Sequence, residues 1–136
     1  MSRILVIDDD VSFGLRTVQA LKQAGLQARF HRGPFGTLGA IRESRCDVVL
    51  LDVNMPKLDG AALVRMIRDT FSANRIRVVL FSSMEVGALQ RLAAWVGAHH
   101  AISKSAADDD VVAQISDLLG ARSADGWSRA LRKTTS

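Results

Sequence analysis

The sequence is poor in cysteine, in proline and in long apolar runs. Its 136 residues include one cysteine and two prolines. Because Cys46 alone cannot form an internal disulfide, we expect the chain to work in a reducing compartment, the cytoplasm. No apolar run approaches the roughly 20 residues that a membrane helix needs, so we expect no membrane contact. A strand pattern begins within three residues of the N-terminus, which predicts no signal peptide.

Excess charge is also scarce over most of the chain. Residues 1–120 carry 14 Lys or Arg against 13 Asp or Glu, a net charge of +1. Residues 121–136 carry four basic side chains against Asp125 alone, which supplies the other +3 of the total of +4. We therefore predict one domain over residues 1–120 and a basic C-terminal tail or short extra helix over residues 121–136.

Apolar runs typical of buried strands alternate with segments of helical spacing. The pattern predicts five strands, over residues 3–7, 27–31, 47–51, 76–81 and 99–102. It predicts five helices, over residues 11–24, 35–44, 61–71, 85–95 and 107–119. Such short crossovers imply an α/β fold whose parallel sheet is covered on both faces. We expect the flavodoxin-like doubly wound (βα)5 arrangement, with strand order 2-1-3-4-5.

Polar side chains follow four of these five strands. Asp8 and Asp9 follow the first strand and Asp52 the third, while Ser82 and Lys104 follow the fourth and the fifth. Ligands of open parallel sheets bind at the carboxyl ends of the strands, so we expect these groups to converge on one site. Oxygen ligands suit Mg²⁺, and a carboxylate beside that ion and an ammonium is a suitable acceptor for a phosphoryl group.

Four motifs of the sequence are similar to those of the receiver domain of two-component response regulators, the CheY-like family. They are ILVIDDD, VVLLDVNMPKLDG, VVLFSS and ISK, in that order along the chain. The resemblance extends over about residues 3–119, and four matches at the right spacing are far more specific than any one of them. It implies a phospho-accepting module of a two-component phosphorelay rather than an enzyme.

The resemblance implies a role for each residue of the acidic cluster. Asp52 would be the phosphorylated aspartate, and Mg²⁺ would be the cofactor. Asp9 and Asp52 would bind the ion directly, together with the backbone carbonyl of Asn54. Asp8 would act through a coordinated water. Two carboxylates, a carbonyl and three further oxygens would complete the octahedral shell that Mg²⁺ prefers.

The resemblance also implies the remaining site residues and the partners. Lys104 would pair with Asp52 or with its phosphoryl group, and Ser82 would donate a hydrogen bond to a phosphoryl oxygen. A histidine kinase or a phosphotransfer protein would supply the phosphoryl group, and a downstream protein would bind the product. No DNA-binding motif follows the domain, so we expect no nucleic-acid partner without a further domain.

Three positions depart from the family pattern. Ala101 stands where many receivers have a tyrosine or phenylalanine whose rotamer reports phosphorylation. Ser105 stands in place of a proline, so we expect a trans peptide bond before it. Met84 lies near the expected path of hydrolytic water, where its flexible apolar side chain would exclude that water. His100 is a candidate for the missing aromatic switch, although an ordinary histidine at a strand edge is the simpler interpretation.

Two other functions deserve consideration. A receiver-fold binding module could hold an anionic nucleotide or nucleic acid on its tail, through Arg122, Trp127, Arg129, Arg132 and Lys133. A hydrolase of the magnesium-dependent aspartyl-phosphate type would need a second carboxylate two residues after the nucleophile, but Asn54 occupies that position.

Among single side chains, we expect Asp10 to cap the first helix. We expect Trp95 to be partly buried against the fifth helix.

Overall fold

The computed structural model describes residues 3–56, 58–71 and 75–125, with the backbone alone over 121–125. Strands and helices alternate as predicted. The strands are β1 (Arg3–Asp8), β2 (Gln27–Arg32), β3 (Val48–Leu51), β4 (Arg77–Ser82) and β5 (His100–Ser103). The helices are α1 (Val11–Gln23), α2 (Thr37–Ser44), α3 (Gly60–Thr70), α4 (Val86–Val96) and α5 (Asp108–Asp125).

All neighbouring strands are parallel, and the sheet order is β2-β1-β3-β4-β5. The predicted fold class and strand order are therefore confirmed. In the register, Ile7 of β1 lies beside Leu51 of β3, which in turn lies beside Leu80 of β4. Because these residues are at or near the carboxyl ends of their strands, the residues that follow them meet at one edge of the sheet.

Side chains that alternate along each strand enter two separate cores. Ile4 and Val6 of β1 pack with residues of α1 and α5 on one face of the sheet. Leu5 and Ile7 pack with residues of α2, α3 and α4 on the other face. This alternation follows from the two-residue period of a strand, and it explains why β3 is apolar at every position and why β1 and β4 are polar only at their ends. All four residues of β3 are buried.

Helix ends confirm one local prediction and correct another. Asp10 is the N-cap of α1 and accepts a hydrogen bond from Phe13 N at 3.1 Å. Gly25, with φ of +85°, follows the end of the same helix, as expected for a glycine that stops a helix. The last helix was predicted to end at residue 119, but α5 continues through Gly120 to Asp125. One glycine lowers helix propensity by about 1 kcal/mol, which does not suffice to end a helix.

The tail residues that would hold an anionic ligand lie mostly outside the described residues. These are Trp127, Arg129, Arg132 and Lys133, while Arg122 is described in its backbone alone. The division of the chain at residue 120 stays a prediction. None of the helices over the described residues combines the length and the apolar character that crossing a bilayer requires.

The expected burial of Trp95 is wrong. Its side chain is 73% exposed. The guanidinium carbon of Arg65 on α3 lies 5.8 Å from the centre of the indole ring. The tryptophan therefore faces α3, where an arginine covers part of the ring by a cation–π contact. Arg68 of the same helix approaches the end of α4, with its Nη1 3.4 Å from Val96 O.

Candidate functional site

Three carboxylates meet at the carboxyl edge of the sheet. Asp8 is the last residue of β1, and Asp52 follows β3 directly. Oxygens of Asp8, Asp9 and Asp52 all lie within 4.8 Å of one another. Asp8 and Asp52 are buried and Asp9 is partly exposed. The backbone holds them there, because Asp52 N donates a 2.9 Å hydrogen bond to Ile7 O and extends the contact between β1 and β3.

Lys104 reaches across the sheet from the end of β5 to the carboxylates. Its Nζ lies 2.6 Å from Asp8 Oδ2 and 3.2 Å from Asp52 Oδ2. The contact with Asp52 is a well-formed hydrogen bond. The contact with Asp8 is an ion pair, and Asp8 Oδ2 accepts no well-aligned hydrogen bond within the described part of the chain. One ammonium thus neutralises part of the charge of two buried carboxylates.

The ionisation of these groups reflects burial opposed by pairing. Burial raises the pKa of Asp52, although a hydrogen bond from Asn54 N and the charge of Lys104 act against this rise. For Lys104 burial alone would lower the pKa, but the ion pairs with Asp8 and Asp52 outweigh it and the pKa is raised. Lys104 therefore stays charged at neutral pH, where it stabilises negative charge on the neighbouring carboxylates.

A common local turn orients the side chains at four strand ends. In each turn a side-chain oxygen accepts a hydrogen bond from the backbone N–H two residues later. Asp10 N donates to Asp8 Oδ1 at 2.9 Å, and Asn54 N donates to Asp52 Oδ1 at 2.8 Å. The same pattern joins Met84 N to Ser82 Oγ and Ser105 N to Ser103 Oγ. Aspartate and serine favour such turns. The two aspartate turns leave Oδ2 of Asp8 and Oδ2 of Asp52 facing Lys104.

The acidic cluster suits a hard divalent cation. Its donors are oxygens, the type of ligand that Mg²⁺ and Ca²⁺ prefer. Over the part of the chain that the structure describes, its three carboxylates contact one ammonium, and Asp8 Oδ2 is buried without a well-aligned hydrogen bond. Asp8 Oδ2 can accept further contacts beside its ion pair with Lys104, and this oxygen and the partly exposed Asp9 fit a small cation that keeps several of its waters. The predicted carbonyl ligand from Asn54 stays a prediction.

Two of the three positions that depart from the family pattern, Met84 and Ser105, line the same cleft as Lys104. The carboxyl ends of β4 and β5 border a cleft of about 560 Å³, lined by Met84, Val86, Ser103, Lys104 and their neighbours. Ser82 is completely buried, and its carbonyl accepts a hydrogen bond from Lys104 N at 2.9 Å. Within the described residues the one cis peptide bond precedes Pro34, so the bond before Ser105 is trans as expected.

Ala101 and His100 have different surroundings on β5, and the role of either in switching stays a prediction. Ala101 is half-buried and packs against the core on the side of α3 and α4. His100 Nε2 lies 2.7 Å from Gln114 Oε1 of α5. The histidine therefore links β5 to α5, which agrees with the simpler interpretation of an ordinary residue at a strand edge.

The sequence did not reveal two rings beside Lys104. Its Nζ lies 4.7 Å from the ring centre of Phe13 and 6.0 Å from that of Phe81. Phe81 directly precedes Ser82 in β4, so its nearness to the site could have been inferred from the strand alone. Phe13 comes from the first turn of α1, and its contact depends on how that helix packs on the sheet.

The fold and the acidic edge define a class of protein, a doubly wound α/β domain with a cluster of three carboxylates at its switch point. Comparison with known families specifies the class further. The family profile of the response regulator receiver domain matches residues 4–116. The chain belongs to this family of two-component signalling domains.

Individual relatives agree with this assignment. The probable chemotaxis protein CheY of Rhizobium etli is 27% identical over 121 residues, which cover 88% of this chain and 93% of that protein. The transcriptional regulatory protein PcoR of Escherichia coli is 33% identical over 70 residues, 52% of this chain and 31% of that protein. This chain therefore matches under a third of PcoR, and the match does not extend to the activity of that protein as a whole.

Solved structures show the same architecture. A response regulator signal receiver domain from Bermanella marisrubri is 28% identical with a TM-score of 0.76, covering 88% of this chain and 99% of that one. A CheY-like receiver domain protein from Methanospirillum hungatei JF-1 reaches a TM-score of 0.79 at 20% identity, covering 93% and 99% of the two chains. The second similarity concerns the fold alone.

Proposed function

We propose that this domain is a cytoplasmic phospho-acceptor in which Asp52 receives a phosphoryl group in the presence of Mg²⁺. The single observation that carries the proposal is the arrangement of Asp52 with Asp8, Asp9 and Lys104. Their carboxylate oxygens lie within 4.8 Å of one another, and the ammonium contacts two of them. A structural ion pair would need one carboxylate, whereas this arrangement keeps three together at the cost of mutual repulsion.

In the transfer step a carboxylate oxygen of Asp52 attacks the phosphorus of a phosphohistidine. A P–O bond forms, the P–N bond breaks, and the histidine nitrogen of the donor takes up a proton. Lys104 stabilises the negative charge on the transferring group, and its short distance to Asp52 means that little reorganisation is needed. When bound, Mg²⁺ supplies further positive charge at the phosphoryl oxygens.

The chain's own residues would hold the ion and the product. Asp9 and Asp52, with the carbonyl of Asn54, would be direct ligands, while Asp8 would act through water. Ser82 would donate its hydroxyl to a phosphoryl oxygen. In support of this role, Ser82 Oγ already accepts from Met84 N at 3.2 Å, which leaves its own proton free to be donated.

The partners follow from the family. A histidine kinase or phosphotransfer protein would donate the phosphoryl group, and a downstream protein would bind the phosphorylated form. The domain would promote only its own phosphorylation and dephosphorylation, so it is not an enzyme acting on a separate substrate. Nucleic acid is not a proposed partner of the described residues.

The experiment is the intact mass of the protein after incubation with acetyl phosphate and Mg²⁺. We expect a gain of one phosphoryl group in the wild type and none in Asp52→Asn. Asp59→Asn is the matched control, because Asp59 caps α3 through Ala62 N and asparagine caps equally well. It should gain the phosphoryl group. An unmodified wild type, or a modified Asp52→Asn, would refute the proposal.

A further inference from the structure

Two phenylalanine rings lie beside the Lys104 ammonium. The Nζ atom lies 4.7 Å from the Phe13 ring centre and 6.0 Å from the Phe81 ring centre, both within cation–π range. The rings contact each other with centroids 5.5 Å apart and planes tilted by 49°. The lysine side chain is only 14% exposed, so little water screens these contacts.

Both rings are fixed by elements other than the loop that carries Lys104. Phe13 lies in the first turn of α1, where its N–H binds the Asp10 cap and its carbonyl accepts from the buried Thr17 hydroxyl at 3.1 Å. Phe81 is 2% exposed and lies in β4, in the middle of the sheet. The two rings therefore form a rigid surface, and the flexible side chain of Lys104 packs against it.

The aromatic surface can hold the Lys104 ammonium in place without adding a charge to the site. A lysine has a flexible four-carbon stem, and holding its ammonium in one place costs side-chain entropy. A further carboxylate could hold it, but the site already contains three. A ring attracts the ammonium through its quadrupole and adds no negative charge to compete with an incoming phosphoryl group.

We propose that Phe13 and Phe81 are positioning residues that hold Lys104 between Asp8 and Asp52 for phosphoryl transfer. The proposal rests on the proposed function of Asp52. Neither ring touches the reacting atoms in this scheme; each acts through the lysine. Phe13 has the larger effect, since its ring centre is closer to Nζ by 1.3 Å, the difference between 6.0 and 4.7 Å.

The first measurement replaces Phe13 with phenylalanines carrying one, two and three ring fluorines, introduced site-specifically. Fluorination weakens the ring quadrupole while nearly preserving its shape. We expect the rate of phosphorylation by acetyl phosphate to fall step by step, by roughly 3- to 10-fold in total. Phe13→Trp, which strengthens the cation–π contact, should keep a larger fraction of the rate than Phe13→Leu.

Phe71 provides the matched control. It too is half-buried and has a cation over its ring, Arg42 at 5.9 Å, but it lies at the end of α3. The same fluorinated series at Phe71 should leave the rate unchanged. A flat series at Phe13, or an equal fall at Phe71, would overturn the proposal.

The second measurement does not depend on phosphorylation. In protein labelled with ¹³C at lysine Cε, the Lys104 resonance, assigned with Lys104→Arg, should be shifted upfield by the ring currents. Phe13→Leu should remove most of this shift and Phe71→Leu should not. If the shift is present but no phosphoryl group is taken up, the function of Asp52 is refuted and the aromatic contact stands. If the shift is absent, the positioning role is refuted by itself.

Discussion

Protonation of His99 should weaken the attachment of the edge strand β5. His99 immediately precedes β5 and forms two hydrogen bonds with Val78 of β4. Its N–H donates to Val78 O at 2.9 Å, and its Nδ1 accepts from Val78 N at 3.0 Å. An imidazole nitrogen accepts only when it carries no proton, so a proton on Nδ1 would abolish the second bond. Val78 is 1% exposed, which leaves its N–H no water to replace the lost acceptor.

The size of the effect follows from the environment of the ring. Burial, together with the positive charges of Arg77 on β4 and Arg68 on α3, lowers the pKa of His99 from 6.5 to about 4, although the hydrogen bond from Val78 N acts against this fall. In the unfolded chain the histidine takes up its proton near pH 6.5. One pKa unit corresponds to about 1.36 kcal/mol, so the ceiling is roughly 3 kcal/mol. Because His99 is only half-buried, we expect about 1–2 kcal/mol after solvent screening.

The sign follows from the depressed pKa. Above pH 6.5 the histidine is neutral in both states, and its contribution to the free energy of unfolding is complete. As the pH falls from 6.5 to about 4, the unfolded chain binds the proton first, so the contribution is lost across this window. The carboxylates also titrate near the lower limit, and the comparison therefore requires a variant in which this residue alone cannot titrate.

The assay is urea unfolding at steps of pH across that window. His99→Asn places an amide oxygen near the position of Nδ1, so it can accept from Val78 N but cannot be protonated. As the pH is lowered across the window, the free energy of unfolding of both proteins should decrease. We expect the decrease for His99→Asn to be smaller than that for the wild type by about 1–2 kcal/mol. The wild type, measured at the same steps of pH, is the reference. Equal slopes for wild type and His99→Asn would refute the reasoning.

Three further predictions concern the helices and the site. Gly14→Ala should lower the free energy of unfolding, measured by urea titration, by about 1–3 kcal/mol, because the alanine Cβ would overlap the Phe30 ring. Adding Phe30→Leu to this variant should restore most of the loss. Asp52→Asn should raise the free energy of unfolding by about 1 kcal/mol at neutral pH, because the raised pKa of Asp52 means that its buried charge destabilises the folded state. The gain should vanish in acid, where Asp52 is protonated and carries no charge. Met84→Glu should shorten the lifetime of phosphorylated Asp52 several-fold, which corresponds to a hydrolysis barrier lower by roughly 1–2 kcal/mol. The lifetime is measured as loss of the phosphorylated mass after the donor is removed. An unchanged lifetime would show that Met84 does not control the path of hydrolytic water.

Strand positions and the acidic edge could be predicted because their causes are local in sequence. A run such as that of β3 is apolar at every position because both faces of the sheet are covered, and it signals a central parallel strand on its own. Once the strand order is fixed, the residues after β1 and β3 must meet. The bounds of the strands were therefore correct to within one residue, and Asp8 and Asp52 lie together as expected.

Features that depend on packing between distant elements could not be predicted. Trp95 has an apolar ring at the end of a helix, and nothing nearby in sequence shows that it faces an arginine of α3 instead of α5. The bond between His99 and Val78 joins residues 21 positions apart, and a buried histidine alone does not identify its partner. The end of α5 was misplaced because Gly120 resembles a stop signal, although the helix passes through it.

The same distinction divides the site itself. Aspartate and serine are short, so a turn of two residues is enough to fix an oxygen of Asp8, Asp52 or Ser82. Lysine is long, and no local turn can fix its ammonium. The position of Lys104 must come from contacts across the fold, which here are two carboxylates and the Phe13 ring. The family resemblance predicted the pairing of Lys104 with Asp52, but the contacts with Asp8 and with the Phe13 ring depend on packing across the fold and could not be predicted.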